Sequence, residues 1–237
     1  MDAAMYKALS GAVVQMHRLE VTAQDLANVN TSGYKGQRLS FSEVLAKRLP
    51  PEDRPGGLVA VANQVTNLGQ GEIQPTGNPF NLALEGDGLF VVQTNRGVRY
   101  TRNGAFSLKA DGTLITTEGD AVLGEGGPIQ ITGVRIQVAS DGTVVSDDGE
   151  IGKIRVVRFA EPRRVTKEGA NLFVTPPDNV QEAAEPRVLQ GSLEQSNVSS
   201  IEGMVSLIAL NRQFEASQRA MTLMDSVTQK MISSVAS

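Results

Sequence analysis

Apolar residues at both ends of this chain recur with a seven-residue period, and no other feature constrains the fold as strongly. Near the start, Met5, Leu9, Ala12, Met16, Leu19, Ala23 and Leu26 follow a 4-3-4-3-4-3 spacing. That is the pattern of a coiled-coil seam rather than of an ordinary surface helix. Near the end, Leu207, Leu210, Phe214, Ser217, Met221, Met224, Thr228 and Met231 keep a 3-4-3-4-3-4-3 spacing, and Ile201, Met204 and Ile208 carry the apolar face backwards with a small phase shift. Each helix has a boundary signal. Ser199 with Glu202 three residues on forms a capping box for the second. The first stops where Asn28, Asn30 and Ser32 can bond local backbone groups and Gly33 can turn left-handed.

The region between reads as β-structure. "NLALEGDGLFVVQTNRGVRYTRNGAFSLKADGTLITTEGDAVLG" consists of short β-prone runs separated by turn pairs: Asp87-Gly88, Asn95-Arg96-Gly97, Asn103-Gly104, Asp111-Gly112 and Glu118-Gly119. "DGTLITTEGDA" from Asp111 is echoed by "DGTVVSDDGEI" from Asp141, each a strand between two tight turns. "RLPPEDRPGG" and "TPPDNVQEAAEPR" read as irregular connectors, and "RFAEPRRVTKEG" as a solvated basic edge. The order predicts an α+β fold, with long N- and C-terminal helices pairing as a coiled-coil-like stalk and a central, mainly antiparallel β domain. The expected divisions are 1–35 for the first helix and an elbow, 36–190 for the β-rich part with its connectors, and 191–237 for the last helix.

A helix of ~25–30 residues is marginal in water unless its apolar stripe is packed. Two readings are open. The helices close on each other within one molecule, or they also leave apolar surface for neighbouring subunits. Ala8, Val13, Ala27, Val205 and Met224 broaden the stripes and favour surplus surface. The candidate assembly interface is therefore Met5, Leu9, Ala12, Met16, Leu19, Ala23, Leu26, Leu207, Leu210, Phe214, Met221, Met224 and Met231, with Asn28, Thr31, Gly33, Tyr34 and Lys35 as the elbow.

Most other classes of function lack residues to carry them. A net charge of -4 does not suit a nucleic-acid binder. There is no Cys or Trp, and His17 is the only His, so thiolate chemistry and His-based triads or zinc sites have no supply. The carboxylates of "EGDG", "ADGT" and "SDDGE" lack calcium-loop spacing, and no P-loop or dinucleotide fingerprint occurs. No catalytic, cofactor-binding or metal residue can be named, and the expectation is a protein that is not an enzyme and takes no cofactor. Gln15, His17, Arg18 and Glu20 interrupt the first apolar segment, so no cleaved export signal or membrane insertion is expected.

Three motifs carry a resemblance. "DLANVNTSGYKGQR", through Leu26, Ala27, Asn28, Thr31, Gly33, Tyr34 and Lys35, resembles the N-terminal signature of the bacterial flagellar rod and hook proteins, with Asp25 where that family usually has Asn. The central Tyr100, Thr101, Arg102, Gly104 and Phe106 are similar to the same family's middle segment. Gly191, Leu193, Glu194, Ser196, Asn197, Val198, Arg212, Phe214 and Glu215 are similar to its C-terminal pattern. The motifs stand in the family's order over nearly the whole chain.

The resemblance implies a structural axial protein of the flagellar basal body, a periplasmic rod subunit of the proximal type. Its terminal helices would form an inner axial domain and its β part an outer one. Implied partners are other rod subunits, copies of itself and the flagellar type III export apparatus, with no nucleic acid. A distal rod subunit is the alternative within the family. A secreted carbohydrate- or calcium-binding β domain is the alternative outside it.

Overall fold

A computed structural model of the chain describes residues 2–44, 58–133, 135–169 and 171–235. The expected connector "RLPPEDRPGG", residues 48–57, lies outside them. Helix α1 spans Asp2–Ala27 and helix α2 spans Ser200–Val235. Both boundary signals act where expected: α1 ends just before Asn28, and α2 begins one residue after Ser199. Contacts divide the chain into two units. One holds α1, α2 and, up to Val65, a two-stranded ribbon, Gln37–Val44 with Leu58–Thr66; the other holds Asn28–Gly36 and Thr66–Ser199.

The helical unit corrects the expected fold class. The described residues contain two α-helices, the first shorter at 26 residues against 36, beside a large antiparallel β domain. A coiled-coil-like stalk of long paired helices with closed seams is not formed. In α1 the seam residues Leu9, Met16 and Ala23 are exposed, while Val14 and Val21, which lie off the seam, are buried with Ala12. A groove of about 540 Å³ opens among α1, α2 and the ribbon. It is lined by Val21 and Thr22 of α1, Leu39 of the ribbon, and Ala209 and Leu210 of α2. The ribbon strand Gln37–Val44 lies against α1 and its backbone is tied to it, Gln37 N–H donating to the Asp25 carboxylate at 3.2 Å. The ribbon is a third element beside α1 that the seven-residue spacing did not foresee.

The β unit is built on the strand Leu89–Thr94. One edge pairs with Gly97–Thr101 through the expected Asn95-Arg96 turn, Thr94 opposite Gly97. The other edge is shared by Ala121–Gly124 and Val156–Phe159. Both faces of the strand are covered. Phe90 and Val92 enter a large cluster with Leu82, Phe106, Leu114 and Val122, and Leu89 enters a second with Val165 and Phe173. This is why "LFVV" is a continuous apolar run instead of an alternation. The internal echo is real in three dimensions. Asp111 and Asp141 each accept the backbone N–H of the Thr two residues on, and Leu114 and Val144 fill equivalent buried positions.

Two local expectations change. Asn103-Gly104 is no hairpin turn: a Cβ on Gly104 would overlap the Leu82 carbonyl, and Gly104 is there so that the backbones can meet. Within "TPPDNVQEAAEPR", Val180–Glu182 is a strand paired with Val156–Phe159.

Candidate functional site

The elbow is the best-defined polar structure in the β unit. Asn28 starts it: its carbonyl accepts the Thr31 N–H at 3.0 Å and its side chain the Thr31 hydroxyl at 3.2 Å. Gly33 has φ +69°, and a Cβ there would stand 2.4 Å from the Asn103 nitrogen, so only glycine combines this backbone with this approach. Tyr34 and Lys35 follow and are both buried. The Lys167 ammonium sits 3.3 Å from the Tyr34 ring centroid and donates to the Lys35 carbonyl at 2.8 Å, a cation–π contact braced by a hydrogen bond.

Beyond Tyr34 lies a sealed charge cluster. The Lys35 ammonium, 1% exposed, donates to Glu194 Oε1 at 2.5 Å and to the Gly69 carbonyl at 2.7 Å. Arg102 Nε donates to Glu194 Oε2 at 2.5 Å, and its two terminal nitrogens donate to the carbonyls of Leu84, Gly86 and Gly88. Glu194 Oε1 also accepts the Gly71 N–H at 2.7 Å. Buried ions persist only when paired and hydrogen-bonded, and here one carboxylate serves two cations. Burial holds the Lys35 ammonium below the ordinary lysine pKa, against the opposing pull of its hydrogen bond to Glu194.

Sequence reasoning named Lys35 for the elbow but missed Arg102 and Glu194 as its partners. Both belong to the motifs shared with the family. The signal was present, since one charged residue from each of the three motifs converges on one point, yet the separations are 159 residues for Lys35–Glu194 and 92 for Arg102–Glu194.

The residues expected at an assembly interface fall into two groups. Ala12 is buried, and Leu19, Leu26, Leu207, Leu210, Phe214 and Met221 are half-buried. Leu9, Met16, Ala23 and Met224 are exposed. The side chains of Met5 and Met231 lie outside the described set. Spacing alone overlooked the most open row, Ile201, Met204, Val205 and Ile208, as a separate face.

Comparison with known proteins agrees with this geometry. The model of the flagellar hook protein FlgE/F/G D1 domain matches residues 83–151, and that of the flagellar basal body rod FlgEFG protein C-terminal region matches residues 189–234. The chain is 34% identical to the flagellar basal-body rod protein FlgF of Salmonella typhimurium, over 95% of each chain. It is 33% identical to FlgF of Caulobacter vibrioides, over 93% of each. It is 28% identical to the basal-body rod protein FlgG of Bacillus subtilis, over 96% of this chain and 97% of that one. The chain belongs to the flagellar basal-body rod protein family, FlgF-like within it, and is a structural subunit of the proximal rod rather than an enzyme. Its place is the flagellar basal body, among other rod subunits.

Proposed function

We propose that this subunit enters the rod through the open apolar rows of its helices, each covered by a neighbouring rod subunit or by another copy of the chain. The row Ile201, Met204, Val205 and Ile208 carries the reading: these side chains share one helical face and are 54–75% exposed. Fully burying one such side chain is worth roughly 1.5–3 kcal/mol, so covering the row drives association. Leu9, Val13 and Met16 make a second row, and Leu223, Met224 and Val227 a third. Ala23 extends the second, and Met5 and Met231 belong to the interface by their spacing. The half-covered Leu19, Leu26, Leu207, Leu210, Phe214 and Met221, with Ala12, hold the helical unit together. Different rows meeting across copies give a heterologous contact, which propagates as a helix instead of closing. Methionine suits neighbours that are only nearly equivalent.

In this reading α1 and α2, within the expected divisions 1–35 and 191–237, supply the inner axial domain, and the β-rich part of 36–190 the outer one. Asn28–Lys35, which belongs with the β unit, is the elbow where the first helix has ended. Delivery is by the flagellar type III export apparatus, without insertion into the membrane. The test is complementation with Val205→Asp/Ile208→Asp. The purified variant keeps the thermal transition of its β unit, while isolated basal bodies lack it and motility is lost. Basal bodies carrying the variant in normal amount would discard the reading.

A further inference from the structure

We propose that Lys35, Arg102 and Glu194 form a charge-locked clasp that closes the β unit on itself independently of the helices. The segments adjoining the two helices lie side by side inside that unit. Gly33 N–H donates to the Glu194 carbonyl at 2.7 Å, Asn197 N–H to the Tyr34 carbonyl at 3.3 Å, and Gly36 N–H to Asn197 Oδ1 at 2.9 Å. Both are then tied to a third segment. The Asn197 amide donates to the carbonyls of Asn67 and Gly69 at 2.8 Å each, and Ser192–Glu194 pairs with Ile73–Pro75. None of these bonds uses a residue of α1 or α2. Loss of helical order therefore leaves every one of them intact.

The charges make the closure conditional. Lys35 and Arg102 share the two oxygens of one carboxylate, with all three side chains at most 3% exposed. Without the Glu194 charge, two cations face each other in a site closed to water. Without Lys35, a balanced Arg102–Glu194 pair remains. The clasp thus responds unequally to the loss of its members, and a fold element held mainly by apolar packing would not.

Hydrogen exchange on the purified full-length monomer tests this, because exchange reports opening segment by segment. In Ala216→Pro, which breaks α2, exchange rises within α2 while residues 28–36 and 191–197 keep their protection. In Glu194→Gln, exchange of those two segments rises roughly 100- to 1000-fold, the effect of leaving buried charge uncompensated, while the strand Leu89–Thr94 is unchanged. In Lys35→Met the same segments gain roughly tenfold or less. Loss of protection at 28–36 in Ala216→Pro overturns the independence from the helices. A Glu194→Gln chain that opens everywhere, or fails to fold, overturns the clasp as a distinct device and makes the triad part of the general core. A Lys35→Met effect equal to that of Glu194→Gln overturns the charge lock.

Discussion

The two units of this protein finish their surfaces in opposite ways. In the β unit, Leu89, Phe90, Val91 and Val92 are covered on both faces of one strand, and even an ammonium, a guanidinium and a carboxylate are sealed from water. In α2, 36 residues long, none of the described side chains is buried, and Ile201 is 75% exposed. A helix draws most of its stability from packing of an apolar face. The β unit meets that requirement within one molecule, while the helical unit buries Ala12, Val14 and Val21 and leaves its other apolar rows open. On the proposed function the contrast separates two tasks: the β unit is closed within one molecule, and the open helical rows are the surface left for assembly.

The largest way to break the contrast is through the β core. Phe90 is fully buried, edge-to-face on Phe106 with ring centroids 5.1 Å apart. Phe90→Ala should cost about 3–5 kcal/mol, read as a lower thermal transition by calorimetry, and an unchanged transition would mean that the unit does not stand on this core. Gly33→Ala comes next. A left-handed backbone costs a non-glycine residue about 1–3 kcal/mol, and the new Cβ collides with the Arg102–Asn103 backbone. Urea unfolding should report a loss at or above that range. A change below about 0.5 kcal/mol, the level of an ordinary surface substitution, would detach the elbow from the prepared body. Val13→Ser on the open α1 row should move stability by no more than about 0.5 kcal/mol yet lower incorporation into basal bodies; a loss of both would show that the row is already covered in the monomer.

The smallest effect concerns a turn. The Thr113 backbone N–H holds the Asp111 carboxyl down from 3.8 to about 2. A depressed carboxyl stabilises the folded state above its unfolded value, and that contribution is lost as pH falls through the folded value. Asp111→Asn should therefore flatten the stability profile between pH 3.8 and about 2, because the contribution that the parent chain holds above pH 3.8 and loses on acidification is no longer there to lose. An acid limb as steep as that of the parent chain would remove the turn from the account.

Much of the β unit was legible because its signals are local. Asp111 and Asp141 mark their turns through bonds two residues away, and Gly33 stands where α1 must stop. The helix boundaries were legible for the same reason. The covered row of α1 was not. Leu9 and Val14 are both apolar, and choosing between them depends on how α1 packs on elements distant in the chain, about which its own periodicity carries no information. The strand in "TPPDNVQEAAEPR" escaped because prolines obscure three residues whose extended form is decided by pairing with Val156–Phe159. The clasp escaped despite visible motifs, since charge type along a chain does not reveal which charges will share a site.

The amino-acid sequence alone determined where the helices begin and end, that the chain turns at Asp111 and Asp141, and which family the chain resembles, because each rests on neighbours within a few residues or on ordered motifs. Tertiary structure alone decided which apolar rows remain open and that Lys35, Arg102 and Glu194 meet. Both depend on burial, and burial is a property of elements packed from distant parts of the chain.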